Sequence, residues 1–212
     1  MPPLKDNKAF FIHIPKTGGT SIYSLFNITY DNCSWLRKQR LHRTYSEIDR
    51  DGRFKKYKDW FFFSIIRNPW QRLVSEYYFV NRRKIGYDTE NISGFKKWVF
   101  SYAESTLSKY FPPNEYIIKT PKRRARLTHL RPQYQFIYDS NMKLQINFVA
   151  RFEELENDWK IISKKLGVVE DLPKKNVCKV KYHYKDYYDE ELNDFVLYYY
   201  GTDIKTFKYS FD

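Results

Sequence analysis

Three short runs of the chain are almost wholly apolar: Ala9–Ile14, Trp60–Ile66 and Ile146–Ala150. Alternating polarity would mark strands with one wet face. Near-continuous apolarity over this length predicts strands of a parallel sheet covered on both sides. A helical pattern follows each run. The first spans Thr20–Asn27 and opens on hydroxyl residues suited to a helix N-terminus. The second runs from Trp70 to about Arg82, with Asn68 as N-cap, Pro69 at the first helical position and Gln71 where a capping-box partner sits. The third, Glu153–Leu166, repeats apolar residues at Leu155, Trp159, Ile162 and Leu166 and meets a stop at Gly167. A last helix is predicted over Asp189–Tyr200. Strand, turn and helix, repeated, is the grammar of an open α/β sheet, whose ligands bind beyond the carboxyl ends of the strands. The segment Ser93–Gln135 is helical in parts and irregular around Pro112, Pro113 and Pro121, which makes it the natural place for substrate-contacting excursions.

Composition narrows the class. The 212 residues suffice for one well-buried domain, and sparse, scattered Gly and Pro leave no linker, so 1–212 reads as a single domain. Mean hydropathy is low, yet 20% of the residues are aromatic, which excludes a disordered chain. The 38 Lys and Arg against 25 Asp and Glu give a net charge of +13. Such a field attracts nucleic acid, acidic lipid surfaces, sulfated or uronic polysaccharides and nucleotide phosphates, or serves solubility alone, so charge by itself identifies no partner. Cys33 and Cys178 make no disulfide framework and have no metal-ligand neighbour at useful spacing. The run Ala9–Ile14 is too short for a signal peptide or membrane span, and no other stretch is longer in kind. The expectation is a soluble, cytoplasmic protein.

Two motifs carry chemistry. Pro15-Lys16-Thr17-Gly18-Gly19-Thr20-Ser21 stands between the first strand and the first helix. Glycines let the backbone turn sharply and bring N–H groups close to an anion, Lys16 adds a charge, and Thr17, Thr20 and Ser21 add hydroxyl donors. This is a phosphate cradle. It differs from the loop of kinases and ATPases, where Lys follows the glycines and a Ser or Thr holds magnesium. The second motif, Arg67-Asn68-Pro69-Trp70-Gln71-Arg72-Leu73-Val74-Ser75, puts Arg67 at a strand end and Ser75 two helical turns along, on the face that carries Arg72. Arg67 and Ser75 form a candidate second anion pocket. The competing description makes Arg67 a strand-end charge and Arg72 part of a surface ion pair.

Together the motifs resemble the sulfotransferases that use 3′-phosphoadenosine 5′-phosphosulfate (PAPS), in the carbohydrate-type branch that includes heparan sulfate 2-O-sulfotransferases and small bacterial relatives. Ala150–Trp159, Leu172–Asn176, Tyr184–Tyr188 and Asp203–Phe211 extend the likeness over nearly the whole chain. The resemblance implies an α/β fold with a central, mostly parallel sheet flanked by helices, of the P-loop-kinase-like sulfotransferase type. It also implies that Lys16, Thr17, Gly18, Gly19, Thr20 and Ser21 hold the 5′-phosphosulfate, and that Arg67 and Ser75 hold the 3′-phosphate. Lys16 would stabilise the leaving phosphate without any metal. Sulfuryl transfer, like phosphoryl transfer, rests on positioning and on charge stabilisation of an in-line displacement.

The acceptor hydroxyl needs a base. Of four histidines, His13 lies inside the first predicted strand and reads as a core residue. His42 falls where the 2-O-sulfotransferases carry their catalytic His, and imidazole suits the task. His129 is the rival base or a substrate contact, with Arg131 and Gln133 beside it as further acceptor-binding candidates. His183 stands near the closing section and is a weaker candidate for nucleotide contact. The basic residues Lys122, Arg123, Arg124, Arg126 and Arg131 suit an acidic sugar chain or a solvated face equally. The acceptor implied is a hydroxyl-bearing carbohydrate, with no nucleic acid and no membrane span. Two other classes compete. A nucleotide kinase would share the strand–loop–helix unit but place its Lys after the glycines, and a nucleic-acid-binding module would explain the charge but not the loop.

Overall fold

The computed structural model describes residues 3–4, 6–29, 42–49, 54–81, 92–117, 127–175 and 182–211. Cys33, Cys178 and the basic residues Lys122, Arg123, Arg124 and Arg126 lie outside them. The described residues fall into two compact units, one from 3–67 and 135–175, the other from 68–117, 127–134 and 182–211.

The first unit holds the sheet, in strand order β1 (Pro3–Leu4), β2 (Ala9–Ile12), β3 (Phe61–Ile66), β4 (Phe148–Arg151). The last three are parallel, with Phe10 opposite Phe62, Phe11 opposite Phe63 and Phe63 opposite Phe148, and the two-residue β1 adds an antiparallel edge. The paired aromatics explain why these runs are strands. The Phe10 and Phe62 rings stack with centroids 5.3 Å apart and planes 4° from parallel, and the Phe11 and Phe63 centroids lie 5.1 Å apart. Cross-strand aromatic pairs of this kind stabilise a sheet by roughly 0.2–1 kcal/mol each beyond burial. The one hydroxyl in the middle of β3 is satisfied, since Ser64 Oγ donates to the Ile12 carbonyl at 2.7 Å. The first strand is shorter than its apolar run because His13 and Ile14 leave the ladder to start the loop. The third predicted strand shifts C-terminally because Asn147 pairs with Phe62 through both its N–H (2.9 Å) and its side-chain oxygen (2.7 Å) before β4 begins.

Helix α1 (Gly19–Leu25), helix α2 (Tyr45–Asp49) and, later in the chain, helix α7 (Leu155–Leu166) belong to this unit. Trp159, Ile162 and Leu166 form the buried stripe of α7, which ends on Gly167 in the left-handed region at φ 65°. The sheet with its flanking helices is the α/β architecture that the alternation of apolar runs and helical patterns predicts.

The second unit is helical. It contains α3 (Pro69–Asn81), α4 (Ile92–Trp98), a π-turn over Val99–Ala103, α5 (Glu104–Tyr110) and the long α8 (Glu190–Phe207). The short α6 (Tyr134–Ile137) spans the border between the units in sequence. Asn68 caps α3 as expected, its Oδ1 accepting from the N–H groups of Trp70 (3.0 Å) and Gln71 (3.2 Å). Asp189 caps α8 through the Leu192 N–H at 3.0 Å. Helix α8 continues past the expected end at Tyr200, because Val196, Tyr199, Tyr200, Asp203 and Phe207 carry one buried stripe to its last turn.

Candidate functional site

The loop Pro15–Gly18 turns the chain from the carboxyl end of β2 into α1. Two of its residues hold left-handed backbone: Lys16 at φ 69° and Gly18 at φ 87°. For a lysine that conformation is strained, and such strain collects where a chain is shaped for a ligand. Left-handed residues within a turn are also the local geometry in which successive N–H groups face one concavity and receive an anion. Thr17 between them is fully buried, and its Oγ1 donates to the Ile14 carbonyl at 2.8 Å, fixing the turn. Its hydroxyl proton is therefore spent on the protein, and its backbone N–H is what it has to offer an anion. Ser21 is buried as well, with Oγ accepting the Lys175 N–H at 3.3 Å, whereas Thr20 is exposed. No side-chain hydroxyl caps α1. Its first turn closes through the Ser21 N–H and the Gly18 carbonyl at 2.9 Å.

Beneath the loop lies His13. A Cβ on Gly19 would stand 2.1 Å from His13 Nε2, so the ring occupies the space that only glycine leaves. His13 is buried, stacked on Phe11 at 5.5 Å and edge-on to Tyr23 at 5.1 Å. The core reading of His13 holds, but the residue sits just beyond β2 and wedges against the turn that leads into α1. His42 packs on it in turn, ring centroids 4.6 Å apart. His42 Nδ1 lies 3.4 Å from the His13 carbonyl oxygen. A carbonyl only accepts, so this contact needs the proton on Nδ1, and in the neutral ring the lone pair then falls on Nε2. The segment behind His42 is braced by a reciprocal capping box at the start of α2, Thr44 N–H to Glu47 Oε2 (2.9 Å) and Glu47 N–H to Thr44 Oγ1 (3.1 Å), with Arg43 donating to the Glu47 carbonyl at 2.6 Å.

Arg67 follows β3 and reaches the loop. Its Nη1 donates to the Lys16 carbonyl at 3.3 Å, and its guanidinium carbon lies 4.2 Å over the Phe152 ring. The first motif and the first residue of the second motif thus meet directly.

The remaining candidates lie in the second unit. Ser75 is buried in α3. On the same helix Arg72 is a fully buried clamp rather than half of a surface ion pair. It donates to the carbonyls of His129 (2.7 Å) and Arg131 (3.0 Å), and burial pulls its pKa down from the ordinary value. One turn on, Glu76 is buried and its Oε2 accepts from His129 Nδ1 at 2.9 Å. His129 is thereby given one fixed tautomer or a proton shared with a carboxylate, and Phe79 flanks its ring at 5.4 Å.

Arg131 and Gln133, the further acceptor-binding candidates, lie deep in this unit. Both are 0% exposed. The Arg131 guanidinium donates to the Ile117 carbonyl and lies 5.5 Å over the Phe111 ring. Gln133 donates its backbone N–H to Asp203 Oδ2 at 2.7 Å, beside the Tyr134 N–H on Oδ1 at 2.8 Å. Asp203, which sequence reading passed over, is a buried carboxyl pushed up to about 6 by desolvation, against which those backbone donors pull it down. His183 caps the 3-10 turn Tyr184–Tyr187, its Nδ1 accepting the Lys185 N–H at 3.5 Å.

Sequence reading also passed over Phe152, Glu76 and the Thr44–Glu47 box. The box was readable as Thr-x-x-Glu. Glu76 and Phe152 gave no local signal, because their partners are 53 and 85 residues away in the chain. Among the described residues, no three His, Cys, Asp or Glu side chains group to hold a metal ion, and no helix is long and apolar enough to cross a membrane.

A strained Lys-bearing loop gripped by a strand-end arginine, with an oriented imidazole alongside, is suited to binding an anionic group and accepting a proton next to it. No curated protein and no solved structure matches this chain. Residues 4–210 match the model of the sulfotransferase family. With the parallel sheet and the loop that follows its first long strand, that match over nearly the whole length identifies the chain as a member of the sulfotransferase family, and hence a transferase of sulfuryl groups.

Proposed function

We propose that the protein transfers the sulfuryl group of PAPS to a hydroxyl of a carbohydrate by in-line displacement. The loop N–H groups of Thr17, Gly18, Gly19 and Thr20, together with the Ser21 hydroxyl, hold the 5′-phosphosulfate, and Lys16 neutralises the charge that grows on the leaving phosphate. Arg67 and Ser75 hold the 3′-phosphate. His42 Nε2 takes the acceptor proton as the new O–S bond forms and the bond from sulfur to the leaving phosphate breaks, releasing adenosine 3′,5′-bisphosphate. The observation that carries this reading is the hydrogen bond from Arg67 to the Lys16 carbonyl, which joins the two anion motifs at one strand-end corner. No metal is assigned a role, since Lys16 and Arg67 supply the cationic charge. A carbohydrate acceptor is favoured by the likeness to the 2-O-sulfotransferases, a cytoplasmic setting by two cysteines that form no disulfide framework, and a single functional domain by one family match across both units.

One observation favours a second assignment of the base. The His129–Glu76 pair is the arrangement that orients an imidazole for proton transfer, so His129 is the alternative to His42.

Thermal melting in the presence of adenosine 3′,5′-bisphosphate, ATP with magnesium, or an oligonucleotide separates the classes, because a ligand of the native state raises the melting temperature. Only the first should stabilise the protein appreciably, and stabilisation by ATP with magnesium alone would replace this reading with a kinase. An acceptor screen with labelled PAPS over polysaccharides, small sugars, lipids and peptides then identifies the hydroxyl.

A further inference from the structure

We infer that Phe152 is a positioning residue of the donor site, its ring fixing the Arg67 guanidinium against the phosphate loop and thereby setting the preference for nucleotides with a 3′-phosphate. The inference rests on the role proposed above for Arg67. Phe152 is the residue immediately after β4, as Arg67 is the residue immediately after β3, and the Phe152 N–H donates to the Ile66 carbonyl at 2.8 Å. Ring and guanidinium therefore rise from adjacent strand ends. The guanidinium carbon lies 4.2 Å from the ring centroid, a stacked cation–π contact, while Nη1 donates to the Lys16 carbonyl. The ring also abuts the loop, since a Cβ on Gly18 would stand 3.2 Å from Phe152 Cε2 and 3.3 Å from Cδ2. Phe152 is thus wedged between the left-handed turn of the cradle and the arginine.

The chemistry follows from what an arginine loses on binding. A guanidinium on a long stem gives up rotamer freedom when it grips a phosphate, and its fork is effective only in the right plane. A ring that already holds the plane removes that cost before the nucleotide arrives. An aliphatic side chain of similar volume fills the wedge but offers no π face.

Calorimetric titration of adenosine 3′,5′-bisphosphate and of AMP into wild type, Phe152→Leu, Phe152→Tyr, Arg67→Ala and the Phe152→Leu/Arg67→Ala double variant tests this. Phe152→Leu should lower the preference for the bisphosphate over AMP by about three- to tenfold and leave AMP affinity in place. Phe152→Tyr, which keeps the face, should retain the preference. In the Arg67→Ala background Phe152→Leu should change the preference no further. Equal weakening of both nucleotides by Leu and Tyr would make Phe152 mere loop packing and overturn the inference. So would full preference in Phe152→Leu when Arg67→Ala has lost it, an outcome that leaves the proposed function standing. Undiminished preference in Arg67→Ala would instead remove the phosphate role of Arg67, and this inference with it.

Discussion

His42 Nδ1 faces the carbonyl oxygen of His13, 3.4 Å away, three residues before Lys16 in the chain. In the neutral ring that contact leaves Nε2 as the proton acceptor of His42. If that atom serves as the base, His42→Ala should bind adenosine 3′,5′-bisphosphate as wild type does while turnover falls by at least 100-fold, the usual scale for general-base loss. The wild-type rate should rise with pH through the range in which imidazole loses its proton, and this limb should vanish in His42→Ala. His129→Ala should keep the limb and mainly raise the acceptor KM. The reverse pattern assigns the base to His129 and Glu76.

Lys16 sits in the left-handed region within a loop that Thr17 and Arg67 hold in shape without its side chain. Lys16→Ala should therefore fold, with a melting temperature close to wild type, yet lose turnover by several orders of magnitude, because the removed charge acts chiefly on the transition state. Activity should also persist in EDTA. Near-normal kcat in folded Lys16→Ala would refute the electrostatic role.

Gly19→Ala tests the wedge of His13 under the loop. The new methyl would meet Nε2 at 2.1 Å, and the buried ring has Phe11, Tyr23 and His42 behind it. Overpacking of this kind costs about 1–3 kcal/mol. Chemical denaturation should show that loss, and His13→Ser should recover part of it in the Gly19→Ala background although it destabilises the wild type. Additive effects would mean that the two residues do not share the space.

Asp203 makes stability depend on pH. Its carboxyl is raised in the folded state to about 6, so between the unfolded carboxylate range and that value the folded protein binds a proton that the unfolded chain releases. Its stabilising contribution is full at low pH and is lost as pH rises through about 6. The disadvantage of Asp203→Asn relative to wild type should shrink from pH 4.5 to pH 7 in thermal melts, and parallel curves for the two proteins would remove Asp203 from the balance.

What the sequence by itself determined is local. The apolar runs marked β2 to β4, the spacing of Trp159, Ile162 and Leu166 marked α7, and Asn68-Pro69 marked the start of α3, because periodicity and capping act within a few residues. The sharp turn at Lys16–Gly19 was legible for the same reason, since glycines between a strand and a helix admit the left-handed backbone it needs. Tertiary structure alone decided which distant groups meet. It put His13 under Gly19 and His42 on His13, turned Arg67 onto Lys16 and Phe152, gave His129 to Glu76, and buried Arg131 and Gln133. A polar residue in an irregular segment reads the same whether it faces a substrate or a buried carbonyl. Only the packing of segments 29 to 85 residues apart tells the two apart, because the partner that satisfies each buried group is contributed by another part of the chain.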